Sequence, residues 1–411
     1  MRQPASSSAS FTAVPGKRTD RLSVAAWASW DAGTAAFHAV LVTFIFSVYL
    51  VDDVGATVDS GLKPSQWYSL SMAALFFIKN TAPEYFFAGL VLLAAASVTI
   101  QFAEVSYFAM LNQVSTEETV GRVSGAGWAA GYVGGIVVLL LSFIFFVSGE
   151  GDTRGLLNIP TDEGLNIRAV AAFAAAWMLV LALPLFLRVP EIPRTTPDLR
   201  ESFIASYRRL FRDLKTLWHT SKNGVFFLVA SAIFRDGLSG VFAFGAILAV
   251  TVYGLSASEV LLFGVAANVV AAVGAFVGGY LDDLIGPKAV ILSSLVIMII
   301  TGFALLFADG PLAFWILGLI LCLFVGPAQS SSRSFVARVA PPGHEGQMFG
   351  LYTTTGRAVS WLTPLLFATF VGIIGTDDRA GIIGIVMVLL IGATLIIPVR
   401  DPQRDPNPDL A

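Results

Sequence analysis

The feature that most constrains this chain is the recurrence of apolar runs about twenty residues long, the length an α-helix needs to cross the hydrocarbon core of a bilayer. Ten such runs are bounded by charges, prolines or polar clusters: 25 to 50, 85 to 109, 122 to 147, 167 to 188, 224 to 252, 257 to 281, 289 to 308, 311 to 332, 348 to 374 and 380 to 398. Lipid offers no hydrogen-bond partners, so each run must satisfy its own backbone and is expected to be helical. The fold class that follows is an all-α polytopic membrane protein. Composition agrees, because 56% of the 411 residues are hydrophobic and only 13% are charged, a balance that a water-facing surface of this size does not tolerate.

Positive charges set the expected orientation. If the chain starts inside, the inside segments carry Lys17, Arg18, Arg21, Arg122, the basic residues from Arg188 to Lys222, Lys288, Arg333, Arg338, Arg400 and Arg404. The outside segments carry only Lys63, Lys79, Arg154, Arg168 and Arg379. Both termini are therefore expected in the cytoplasm, with the chain multi-pass in the inner (plasma) membrane. The expected organisation is a disordered cytoplasmic tail (1–24), an N-terminal helical bundle (25–188), a cytoplasmic amphipathic linker (189–223), a C-terminal six-helix bundle (224–399) and a second tail (400–411). In the linker, Phe203, Tyr207, Leu210, Phe211, Leu214, Leu217 and Trp218 recur at helical spacing between basic residues, the pattern of a helix lying on the membrane surface.

Several chemistries have no support in the residues. Cys322 is the sole cysteine, and His38, His219 and His344 lie far apart, so no metal-ligand spacing exists. A Gly-rich loop ending in Lys-Ser or Lys-Thr is absent, which argues against ATP as direct driver. An intramembrane lipid transferase would need a third acid spaced to hold metal with Asp282 and Asp283, and the sequence lacks one. No cofactor, nucleic acid or enzymatic activity is expected. The expected partners are a small-molecule solute, the lipid bilayer and a proton as coupling ion, with the protein a monomer.

The two halves resemble each other, an architecture of secondary transporters. "SWDAG" at 29 to 33 matches "FRDG" at 234 to 237, and each is followed by an apolar stretch ending in Tyr49 or Tyr253. "EETVGRVSG" at 117 to 125 matches "GHEGQMFG" at 343 to 350, pairing Gly121 and Gly125 with Gly346 and Gly350. Yet Asp31 and Gly121 are 90 positions apart, against 110 between Asp236 and Gly346. Between its first two spans the first half has only "WYSLSMAALFFIKN", residues 67 to 80, whose apolar part is too short to cross. A helix pair and its inside turn are expected to be missing, leaving about 10 full spans, four plus a short segment and then six, instead of 12.

Ionisable residues inside spans each need a reason. Asp31 and Asp236 fall roughly 15 to 20 Å from the inner basic flank at 1.5 Å per residue, near mid-bilayer. Arg235 and Asp236 are adjacent and diverge by about 100° on a helix, so each needs a partner on another helix, and Asp31 is a candidate for Arg235. A substrate or gating role and a purely structural bond both fit. His38 lies one heptad after Asp31 and suits either a coupling proton or a packed imidazole. Glu104 and Tyr107 share a helix face toward the inner end, and Glu104 suits either a solute or proton carboxylate or an ion pair with Arg122. Asn268 and Gln329 are polar positions in later spans, and Arg333 is expected to snorkel to the interface.

"ASWDAGTAAFHAVLVTFIFSVYL", "FAMLNQVSTEETVGRVSGAGWAAGYVGG" and "FRDGLSGVFAFGAI" together resemble the major facilitator superfamily, and within it the bacterial branch of the vacuolar effluxer, autophagy-related protein 22-like, family. The resemblance implies two six-helix bundles, alternating access and export of a small polar solute, with amino acids as the class associated with eukaryotic members. The superfamily's signature turn between its second and third helices falls in the missing piece. Its counterpart is "GGYLDDLIGPK", residues 278 to 288. There Gly278 and Gly279 permit close helix approach, Asp282 can pair with a basic residue or a helix N-terminus across an inner gate, and Lys288 resembles the motif's basic end, with Gly121, Arg122, Asp283 and Gly286 as further gating candidates. Loss of the first turn leaves a second expectation, a transport-impaired deletion form acting as a membrane scaffold or receptor.

Overall fold

The computed structural model describes residues 20–37, 86–189, 212, 222–341, 344–374 and 378–403. Twelve helices run through them: α1 (Arg21–Ala36), α2 (Phe86–Ala109), the short α3 (Leu111–Val114), α4 (Val120–Ser142), α5 (Leu165–Arg188), α6 (Lys222–Thr251), α7 (Ala257–Ile285), α8 (Pro287–Phe307), α9 (Gly310–Val339), α10 (Glu345–Val359), α11 (Leu362–Ile374) and α12 (Gly381–Ile396). A π-helical turn, Phe143–Val147, ends α4, and a two-residue hairpin, β1 (Thr153–Arg154) with β2 (Ile159–Pro160), closes the following loop. Among the described residues eight helical stretches are long and apolar enough to span a membrane. The interior of the first expected span beyond residue 37, the short segment at 67 to 80 and the linker, apart from a helical Arg212, lie outside the described residues.

Local chemistry accounts for both ends of α7 and the start of α8. At the start of α7, Ser256 Oγ accepts from the Glu259 N–H while Glu259 Oε2 accepts from the Ser256 N–H, so two orphan donors are satisfied reciprocally. α7 ends at Gly286, whose φ of +90° would strain any side chain, and Pro287 starts α8 where a missing N–H costs nothing.

Two boundaries differ from expectation. α9 runs to Val339, seven residues beyond the predicted end, because Arg333 and Arg338 find partners inside the protein and the helix can stay buried past them. The expected span at 348 to 374 remains one apolar stretch, Glu345–Ile374, but its helix is interrupted after Val359 by a two-residue turn that separates α10 from α11.

The described residues form two compact units, one drawn from 25–104 and 130–189, the other from 1–24, 105–129 and 190–411. In the first, Gly33 of the "SWDAG" segment lies against Leu181 and Met178 of α5, Ser29 Oγ donates to Leu181 O (2.7 Å) and Trp177 Nε1 to Ala32 O (3.0 Å). In the second, Gly237 of "FRDG" lies against Leu389 and Val388 of α12. Each half thus packs the glycine after its repeat aspartate onto its own last helix. Elsewhere in the second unit Phe227 stacks on Phe335 at 3.7 Å between centroids, and Tyr253 Oη donates to Leu305 O (2.7 Å).

Candidate functional site

The densest buried charge in the described residues is at the α7–α8 turn. Asp282, with no exposed surface, accepts from Arg338 Nη1 (2.5 Å) at one oxygen and from Ser334 Oγ (2.5 Å) at the other. Arg338 and Ser334 are four residues apart and so present one face of α9. Arg338 Nη2 also reaches Asp283 Oδ1 at 3.3 Å. Asp283 in turn accepts the backbone N–H groups of Gly121 (2.7 Å) and Arg122 (3.1 Å) and pairs with Arg122 Nε at 3.2 Å. Gly121 and Arg122 are in the first turn of α4, where N–H groups have no intrahelical acceptor and the helix dipole favours an anion. The pair therefore divides its work, Asp282 taking the arginine of α9 and Asp283 the N-terminus of α4.

Backbones approach closely beside this clamp. A Cβ on Gly279 would meet Gly121 O at 2.6 Å, and one on Gly278 would meet Pro327 Cβ at 2.6 Å, so α7 is seated on both α4 and α9 by its glycines. The chain after α12 lies over the same turn. Asp401 is buried against Gly286, Gln403 Nε2 donates to Asp283 O (3.0 Å), and Lys288 Nζ donates to Ile397 O (2.7 Å). Burial pushes the Asp401 carboxyl above its ordinary value, while the Gln403 N–H and the Arg338 charge pull the other way.

Arg333 is not an interfacial snorkel. It is 1% exposed, its Nε donates to Ser124 Oγ (3.0 Å) and its Nη2 to Ser124 O (2.7 Å). The guanidinium carbon lies 5.2 to 5.8 Å from the rings of Phe108, Trp128 and Tyr107, which offer π-faces in place of water. Asn112 Nδ2 adds a bond to Ala337 O (3.0 Å).

A second polar cluster lies halfway along α6. Asp236 is buried, and its Oδ2 accepts both the N–H (2.7 Å) and the Oγ1–H (2.6 Å) of Thr363. Thr363 is in the first turn of α11, so Asp236 caps the helix restarted after the break. Arg235 points elsewhere, as adjacency on a helix requires. It lies 3.8 Å over the Tyr352 ring and donates from Nη1 to Tyr352 O (3.2 Å). Both residues find partners on other helices, but their partners are Thr363 and Tyr352.

The remaining expected residues are scattered. Asp31 is half-buried on α1 in the first unit and Glu104 half-buried on α2. Arg122 pairs with Asp283 and donates to Glu118 O (3.2 Å). Tyr107 is buried beside Arg333. Asn268 Nδ2 turns back to Gly264 O (2.8 Å) in its own helix. Gln329 is half-buried on α9. His38 lies outside the described residues. Sequence reasoning missed Arg338, Ser334, Tyr352, Thr363 and Asp401. The available signal was the four-residue spacing of Ser334 and Arg338 in "SSSRSFVAR", which a longer ninth helix would have placed on one face.

A sequence model of the family described as "Vacuole effluxer Atg22 like" matches residues 95–405. The chain is 25% identical to an uncharacterized MFS-type transporter, YxiO, of Bacillus subtilis over 79% of its own length and 73% of the relative's. It is 26% identical to autophagy-related protein 22-1 of Aspergillus fumigatus over 69% of its own length, and spans about half (49%) of that relative. Similar solved structures include the Escherichia coli fucose:proton symporter FucP, with a TM-score of 0.60, 14% identity and coverage of 92% of this chain and 98% of that one. The proton:xylose symporter XylE gives 0.59 at 12% identity, covering 92% and 85%. These structures share the major facilitator fold, and the Bacillus relative is described as an MFS-type transporter.

Proposed function

The chain belongs to the vacuole effluxer Atg22-like family of major facilitator transporters, and from that premise we propose that it is a secondary active exporter of a small polar solute, with amino acids the first class to test. The observation that carries the reading is the clamp of Asp282 and Asp283 onto Arg338 and the N-terminus of α4. Every bond Asp283 makes to Gly121 and Arg122 joins two different helices through one carboxylate, so the contact can open as a unit and re-form without rebuilding either helix. That is the behaviour alternating access needs of a gate, and the excess of flanking basic residues supports a cytoplasmic side for it. Asp31, His38 and Glu104 are the candidates for solute or proton binding in the first half, within a 25–188 bundle that rocks against the 224–399 bundle. The protein acts as a monomer in the inner membrane.

Purified protein in proteoliposomes loaded with amino acids is expected to release at least one of them, faster with a pH gradient than without. No solute movement by a stably folded protein would instead support the scaffold or receptor reading. For orientation, a reporter fused beside Lys79 is expected to read outside and one fused to either terminus inside. A cytoplasmic signal at Lys79 would overturn the topology.

A further inference from the structure

Arg235 is thirteen residues from the start of α6 and sixteen from its end, roughly 20 and 24 Å at 1.5 Å per residue, so its charge lies in the middle of the span. A guanidinium at that depth requires a counter-charge, a π-face or water. Here the protein supplies the π-face. The Tyr352 ring is itself buried and pinned, since its Oη bonds to Ser332 Oγ (2.8 Å), and Nη1 of Arg235 is anchored to Tyr352 O. Gly356, one turn further along α10, admits the guanidinium against the helix, because a Cβ there would lie 3.1 Å from Nη1.

What the protein does not supply, among the described residues, is an anion: no carboxylate there lies within ion-pair reach of Arg235, and Nε and Nη2 have no acceptor. Its neighbour Asp236 is committed to Thr363. Arg338, by contrast, has two carboxylates, and Arg333 is enclosed by rings and Ser124. Arg235 is half-buried rather than enclosed. A planar fork held 3.8 Å over a fixed ring, with Nε and Nη2 left without an acceptor, has the pair of donors that takes a carboxylate through two parallel hydrogen bonds.

We propose that the Arg235–Tyr352 platform binds the carboxylate of the transported solute, and that the solute class is small organic carboxylates for which an α-ammonium group is dispensable. The proposal rests on the transporter reading but is tested by binding, which needs no flux. Asp236, the adjacent acid, diverges by about 100° around the helix and is engaged through Oδ2 by Thr363, so the carboxylate carries recognition at the platform.

The test uses the full chain in nanodiscs and follows its thermal midpoint at constant ionic strength. The probes are alanine, serine, leucine and glutamine, each with its N-acetyl derivative and its methyl ester, together with lactate. At least one free acid and its N-acetyl derivative are expected to raise the midpoint, and the corresponding methyl ester to leave it unchanged. Arg235→Gln is expected to weaken binding about tenfold or more, the scale of a lost bidentate charge-assisted contact. Gly356→Val, which keeps the arginine and crowds its guanidinium, is expected to weaken it in the same direction and guards against a folding defect in the first variant. An ester that protects as well as its acid, unchanged binding in Arg235→Gln, or no carboxylate that protects would each overturn the proposal. Carboxylate binding without any flux in proteoliposomes would instead sink the transporter reading and leave the site standing.

Discussion

Replacing Arg338 by methionine is expected to cut solute flux about tenfold or more and to lower the thermal midpoint, because removing one partner of a buried ion pair costs about 3–5 kcal/mol. Arg338 is 3% exposed at its side chain and serves Asp282, which has no exposed surface, as well as Asp283. Without it, two neighbouring carboxylates face each other with only Ser334, Arg122 and backbone N–H groups to hold them. The effects on stability and on transport separate in a double variant. Adding Asp282→Asn to Arg338→Met removes the orphaned charge while keeping an acceptor for Ser334, so the midpoint is expected to recover. Flux is not expected to recover, since α9 no longer pulls on the turn that holds α4. Wild-type flux in Arg338→Met would show that the clamp is no gate, whatever its part in stability.

The membrane architecture was legible because the constraint that creates it is local. A run of twenty apolar residues must be a helix in lipid regardless of its neighbours, and the described boundaries of α4 to α8 fall within a few residues of expectation. The expectation failed where a tertiary partner changes the rule. Arg333 ended the eighth predicted run because a charge normally leaves the bilayer, but Ser124 and three rings receive it, and no property of residues 311 to 339 encodes a serine on α4. The break at Ser360–Trp361 was hidden for the same reason. Residues 348 to 374 are apolar enough to read as one helix, and the group that caps its second half, Asp236, is 127 positions away.

The acidic turn shows both sides. "GGYLDDLIGPK" identified close-packing glycines and carboxylates able to take a base or a helix N-terminus, and the structure uses both options at once. Which base was not readable. Several arginines were expected on that side, and choosing Arg338 requires knowing that α9 continues. The internal repeat was readable at Gly33 and Gly237, each of which packs against the last helix of its own half, but not at its second pair. Gly125 is pressed onto Gly279, whereas Gly346 has open space around its Cα and Gly350 meets only Val105. Equal spacing in sequence therefore does not carry equal packing.

Asp236→Asn is expected to abolish transport while membrane insertion and folding persist. Both bonds from Thr363 end on one carboxylate oxygen, and an amide oxygen can accept the same two donors. The substitution therefore keeps the geometry and removes the charge, weakening the bonds by about 1 kcal/mol on the difference between charged and neutral hydrogen bonds. That charge faces the N-terminus of α11, where the dipole of a helix favours an anion. It is also what holds the restart of a helix interrupted at Ser360 and Trp361, two residues before the capped threonine. Asp236→Ala goes further, leaving the Thr363 N–H buried without an acceptor at a cost of about 1–3 kcal/mol, and is expected to lower the thermal midpoint below that of the asparagine variant. The two variants thus separate two readings: folding should follow the number of bonds kept and differ between them, while transport should follow the charge alone and be lost in both. Full flux in Asp236→Asn would assign the aspartate a purely structural role in capping α11, and equal midpoints for the two variants would mean that its bonds to Thr363 do not hold the break.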